Sequence, residues 1–166
     1  MSAVSRWIRE GCITGLIAYA SVAVFYAVFD LVGANGLLFT VNQLGQFMLR
    51  GPAALAFDAG ITPISLSAIL AYSAVHLVAS LAIGVLVCRL VFEAELQPAQ
   101  AQTALLFIVA GFAGTIAMVG IVSAPIREVL PWWSIMSANA LAVLVAGSVM
   151  IRRHPEFLSR MTETVR

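Results

Sequence analysis

The chain has 166 residues, 61% of them hydrophobic and 10% charged, with a net charge of +1 and a mean hydropathy of +1.00. A soluble domain carries about 25% charged residues, so this composition excludes an ordinary soluble fold. The near-zero net charge gives no footing for nucleic-acid binding, and all nine basic residues are arginine.

Four apolar stretches, about residues 11–33, 66–92, 103–124 and 132–151, lie between the charged residues. Each suffices to cross a hydrocarbon core about 30 Å thick, which takes about 20 helical residues. The predicted fold is all-α: a single membrane domain, 1–166, of four transmembrane helices packed as a bundle. In the first stretch Arg6 and Arg9 precede the apolar run as in a signal peptide. At about 22 residues the run exceeds a signal-peptide core, and no A-x-A site closes it, so it reads as an uncleaved helix. Trp7 marks one interface. Ala20, Ala23 and Ala27 share a face, and Tyr26 lies one turn before Asp30, for which water at the helix end is the expected environment.

Residues 34–65 form an unusually long loop. Val41, Leu44, Phe47, Met48 and Leu55 alternate with Asn42, Gln43, Gln46 and Arg50 at helical spacing, interrupted at Gly51-Pro52 and followed by Thr62-Pro63. The pattern predicts a short amphipathic helix on the outer membrane surface, with a re-entrant segment or a cap over the bundle as alternatives. It serves there as a plain interfacial helix or as a docking surface or lid.

In the second span Tyr72, His76, Ser80, Gly84 and Cys88 recur every four residues and form a polar stripe. His76 lies about ten residues in, roughly 15 Å deep. An ionisable group at that depth is a functional candidate because burying it is costly. Its readings are a neutral ring hydrogen-bonded to a neighbouring helix, a haem or pigment ligand, a proton relay, or a donor to a quinone. His154 lies beyond the last span and at the wrong depth to complete a bis-histidine site. Cys12 and Cys88 are too few for a metal or disulfide framework, and no metal site is predicted.

Small residues recur at packing intervals, Ala110 with Gly114 and Ala113 with Ala117 in the third span, and Ser134, Ala138, Ala142 and Ala146 in the fourth. Such seams let backbones approach where lipid supplies no hydrophobic drive, either within the chain or against a partner. Pro131 suits the start of the fourth span, where Trp132 and Trp133 suit an interfacial belt. Asn139 falls near the depth of His76, so Tyr26, Asp30, Tyr72, His76, Ser80 and Asn139 form a candidate intramembrane polar cluster. Arg152 and Arg153 anchor the far end, and Phe157, Leu158 and Met161 suggest a short amphipathic tail. Glu93, Glu95 and Glu128 fall in loops, as solvated carboxylates.

With both termini inside, seven arginines (6, 9, 89, 152, 153, 160, 166) are cytoplasmic and two (50, 127) are outside. The positive-inside rule then predicts N-in and C-in in an inner, cytoplasmic membrane. No P-loop, H-E-x-x-H, G-x-S-x-G or C-x-x-C motif occurs, so no enzyme is predicted. No repeat relates the two halves as in many transporters.

Phe29-Asp30, Phe39-Thr40, Leu44-Gly45, His76-Leu77 leading to Gly84, Trp133, Ala138-Asn139 and Arg152-Arg153-His154-Pro155 together resemble a set of small uncharacterised bacterial four-helix membrane proteins. The resemblance spans most of the chain. It departs where Gly36-Leu37-Leu38 and Thr40-Val41 replace the Gly-Arg-Pro and Thr-Pro often found in that set. It implies four helices in a membrane and carries no activity.

The leading expectation is a non-catalytic accessory subunit of a larger respiratory or photosynthetic membrane complex, stabilising assembly or positioning lipid or pigment. The partners would be membrane lipids and other integral subunits or further copies of the chain. A small oligomeric transporter, channel or ligand-binding protein is the alternative. A redox protein using His76 against haem or quinone is the third. A continuous polar path would favour transport, and colour would favour haem.

Overall fold

A computed structural model describes residues 3–33, 35–51, 63–127, 130–157 and 159. All regular structure among them is helical: α1 (Ala3–Val32), α2 (Phe39–Arg50), α3 (Leu66–Leu96), α4 (Ala101–Val122) and α5 (Trp132–Arg153), with 3-10 turns at Pro98–Gln100 and Ala124–Ile126. The elements α1, α3, α4 and α5 are long and apolar enough to cross a membrane. Leu55, Thr62, Glu128, Leu158 and Met161 lie outside the described residues.

Local chemistry sets the boundaries. The helix α1 runs to Val32 and is followed by Gly33, whose N–H donates to the Phe29 carbonyl at 2.9 Å. The helix α2 begins after Gly36 and stops at Gly51, where φ of +76° favours glycine and the N–H returns to the Phe47 carbonyl. Pro98 follows α3, and Pro155 follows α5. Pro131 sits one position before the first helical residue of α5, and its carbonyl accepts from Ser134 N at 2.9 Å. At 30 and 31 residues, α1 and α3 run about 45 Å. They extend beyond the 11–33 and 66–92 stretches because Arg6, Arg9, Glu10, Glu93 and Glu95, although charged, do not break a helix; Glu93, expected in a loop, lies in α3 and pairs with Arg89 one turn before it.

The closest packing is between α1 and α3, and α1 also packs against α5. Gly11 and Gly15 of α1 meet Gly84 and the Ser80 carbonyl of α3 backbone to backbone. A Cβ placed on Gly15 would stand 2.5 Å from the Ser80 carbonyl oxygen, and one on Gly84 would stand 2.5 Å from Gly15 N. On α5 the stripe Ser134, Ala138, Ala142, Ala146 and Met150 is buried. The α4 seam behaves differently. Only Ala101 and Ala104 of α4 are buried; Ala110, Ala113 and Ala117 are exposed, and an added Cβ at Gly111, Gly114 or Gly120 would meet nothing within 4 Å.

An interfacial helix turns its polar side chains to water. In α2 they are buried instead: Thr40, Asn42, Gln43 and Gln46 are each at most 3% exposed, while Met48 and Leu49 are exposed. The reason is the start of α3. The Ser65 N–H donates to Asn42 Oδ1 at 2.9 Å, while Asn42 Nδ2 (3.2 Å) and Gln46 Nε2 (3.0 Å) donate to the Pro63 carbonyl. Asn42 thus satisfies the N–H of the residue that caps α3, a donor that a helix start leaves open, and both amides satisfy the carbonyl two residues before it. Gly45 allows the approach, because any Cβ there would strike the Ala68 carbonyl of α3.

Candidate functional site

The helices define two ends. At one, α2 sits over the end of α1 and the start of α3. At the other, the start of α1 meets the ends of α3 and α5.

At the α2 end, α1, α2 and α3 line a half-open pocket of about 240 Å³. Its polar walls come from Tyr19, Tyr26, Asp30, Thr40, Tyr72 and His76. The alanines Ala23 and Ala27 leave the space on the α1 side, and Leu37, Leu38 and Leu44 close it. All three tyrosines of the chain therefore converge with the only histidine lying within a long helix.

The groups around this cavity differ in how they are satisfied. Asp30 does not face water as expected; it is 1% exposed. Its carboxylate accepts from Thr40 N–H at 2.8 Å and from the Thr40 hydroxyl, so it ties α1 to the first turn of α2. Ser134 Oγ donates to the Pro131 carbonyl at 2.7 Å and lies 3.5 Å from Tyr26 Oη. With the serine proton used, the tyrosine is the donor of that pair. The ring of His76 lies 5.0 Å from Tyr19 and 5.9 Å from Tyr72, centroid to centroid. Tyr19, Tyr72 and His76 make no side-chain hydrogen bond with any described residue, so the hydrogen bond expected from His76 to a neighbouring helix is not formed. Their polar atoms remain available to a molecule in the cavity.

Two members of the sequence-predicted cluster fall elsewhere. Asn139 Nδ2 donates to its own helix, to the Ile135 carbonyl at 2.8 Å, and does not line the cavity. Ser80 lies one turn past His76, at the contact with Gly15. Trp132 and Trp133 are exposed, Trp133 lying edge-on to Phe29 at 5.7 Å, and Trp7 stands 6.0 Å from the Arg89 guanidinium. Arg152 and Arg153 are exposed beside a buried His154.

That histidine organises the second site. His154 Nε2 lies 3.0 Å from Glu10 Oε2 of α1, and Nδ1 lies 3.0 Å from Glu95 Oε2 of α3. The ring packs edge-on to Phe92 at 4.8 Å. Glu95 is therefore not a solvated loop residue but a member of the last turn of α3, with its side chain 21% exposed. Cys88 is fully buried beside the cluster, in a core with Val91, Ala94, Ala101, Met150 and Phe157. Phe157, expected on an amphipathic tail, is thus a core residue. No periodicity links this group, since Glu95 and Glu10 lie 59 and 144 residues from His154.

No protein-family model matches this chain, and no curated protein or solved structure does either.

Proposed function

We propose that the chain is a multi-pass membrane protein that binds the polar ring of a small lipophilic molecule in the cavity beneath α2. The carrying observation is the convergence of Tyr19, Tyr72 and His76, hydrogen-bonding side chains without partners among the described residues, on a half-open pocket of about 240 Å³. Pockets that bury drug-sized ligands begin near 300 Å³, so the volume suits a single ring rather than a macrocycle such as haem. Phenol and imidazole donors suit carbonyl acceptors on a flat ring, and the tyrosine faces suit its π-surface. A quinone head group is the ligand chemistry that meets both conditions. On this reading α2 is a cap over the site, held by Asp30–Thr40 at one end and by Asn42 and Gln46 at α3. The arginine distribution supports placing both termini in the cytoplasm of a bacterial cell, with the cavity in the outer half of the inner membrane. The chain acts by binding rather than by catalysis.

The test is an organic extract of protein purified in mild detergent, compared by mass spectrometry with an extract of Ala27→Phe, whose ring fills the cavity. A ring-bearing lipophilic compound enriched with the natural chain and lost from the variant is the expected result. Identical extracts overturn the reading.

A second reading rests on α4. Its Ala110–Gly114 and Ala113–Ala117 seam is uncovered among the described residues, which supports a subunit role in a larger membrane complex or a homo-oligomer. The two readings are compatible, because the cavity and the bare face lie on different helices.

A further inference from the structure

We propose that Glu10, Cys88 and His154 bind a divalent transition-metal ion, with Zn²⁺ the best match. One oxygen, one sulfur and one nitrogen donor, from α1, from α3 and from the residue capping α5, converge with their ligating atoms all within 4.8 Å of one another. Tetrahedral zinc with bonds of about 2.0–2.3 Å holds its donors about 3.3–3.8 Å apart, so side-chain adjustment of about an ångström closes the set. The mixed N, S and O donors favour a borderline-soft ion over magnesium or calcium, which take oxygen alone. Three protein ligands leave a fourth position for water or an exogenous ligand.

The surroundings are those of a metal ligand as well. Metal-bound histidines commonly donate their second ring N–H to a carboxylate, which fixes the tautomer and aims the ring. Glu95 stands in that position, 3.0 Å from Nδ1, and leaves Nε2 for the ion on the side of Glu10. Phe92 braces the ring, and Cys88 is fully buried. A dication offsets the charges of its carboxylate and thiolate ligands, and the remaining Glu95 carboxylate is held by the far ring N–H, beside a core that includes Val91, Met150 and Phe157. Binding exchanges protons for metal. The Cys88 thiol releases its proton to solvent, and Nε2 releases one if the ring carries it; no electron is transferred.

The experiment uses the full chain in detergent micelles, stripped of metal with a chelator and titrated with Co²⁺. The expected result is a saturable cobalt–thiolate charge-transfer band at one equivalent that Zn²⁺ abolishes by displacement. Cys88→Ser should lose the band and Cys12→Ser should keep it, both with unchanged circular dichroism. Glu95→Gln, which keeps all three ligands, should bind ten- to a hundredfold more weakly. A natural chain without the band, or a band that follows Cys12 instead of Cys88, overturns the proposal. So does a Glu95→Gln chain whose affinity is unchanged.

Discussion

The α1–α3 crossing makes a sharp prediction, because a single methyl group tests it. In Gly84→Ala the new Cβ would strike the Gly11 carbonyl oxygen and stand 2.5 Å from Gly15 N and 2.8 Å from Gly15 Cα, where ordinary contact begins at 3.4 Å. All three obstacles are backbone, which cannot rotate away. The helices must separate by about 1 Å at this point, and a gap of that size forfeits a quarter to a half of each dispersion contact nearby. Overpacking of this kind costs about 1–3 kcal/mol, offset by up to about 1 kcal/mol from alanine's better helix propensity. The net expectation is a loss of about 1–2 kcal/mol. Gly114→Ala is the counterpart: with nothing within 4 Å of the new methyl, it keeps the propensity gain of up to about 1 kcal/mol and loses nothing. Reversible unfolding in mixed detergent micelles, followed by circular dichroism, measures both. If Gly84→Ala is as stable as the natural chain, the crossing is not backbone to backbone and the reasoning fails.

Other substitutions probe the remaining contacts. Asp30→Asn replaces a carboxylate that accepts twice from Thr40 with an amide that has one acceptor. A hydrogen bond to a charged group is worth about 1.5–3 kcal/mol, so exchange of the Thr40 amide should accelerate about tenfold to a hundredfold; unchanged exchange would show that the latch does not hold α2. Asn42→Ala strips the Ser65 N–H of its acceptor and should lower stability by about 1 kcal/mol, the usual effect of losing a helix cap, visible in the same unfolding titration. Gly114→Leu, on the bare α4 face, should leave the stability of the isolated chain within about 0.5 kcal/mol yet break an oligomer or complex seen by light scattering. An assembly that survives the change removes α4 as its interface.

How much of this was readable in the sequence depends on the range of each signal. The four long helices follow from hydropathy alone, since a run of apolar residues announces itself wherever the rest of the chain goes. The α5 seam was legible for the same reason: Ser134, Ala138, Ala142 and Ala146 recur at the helical period and are buried together. An equally local sign, Gly11-x-x-x-Gly15, marks the tightest contact between α1 and α3, whereas the comparable α4 pattern is uncovered. Spacing shows that a face can pack closely but not whether the chain covers it. The inward polar face of α2 was not legible, because Asn42 and Gln46 are satisfied by backbone groups near residue 65 that only the fold brings near. Arg152-Arg153 made His154 look like part of a solvated anchor, and its carboxylate partners have no sequence relation to it.

The polar stripe on α3 shows what those differences mean for function. Tyr72, His76, Ser80, Gly84 and Cys88 follow one face at four-residue intervals, and a stripe of that kind invites the reading of a path through the membrane. The structure divides it into three environments. Tyr72 and His76 line the cavity, Ser80 and Gly84 lie in backbone contact with Gly15 and Gly11, and Cys88 joins the group around His154. Twelve residues separate His76 from Cys88, about 18 Å along the helix axis, and the middle of that distance is taken up by two backbones packed too closely to admit even a methyl group. A solute could pass along this face only if α1 and α3 came apart at their tightest contact. The same contact that argues against a pore favours two fixed sites, because it holds α1 and α3 in register and so sets the positions of Tyr19 against His76 at one end and of Glu10 against Cys88 at the other.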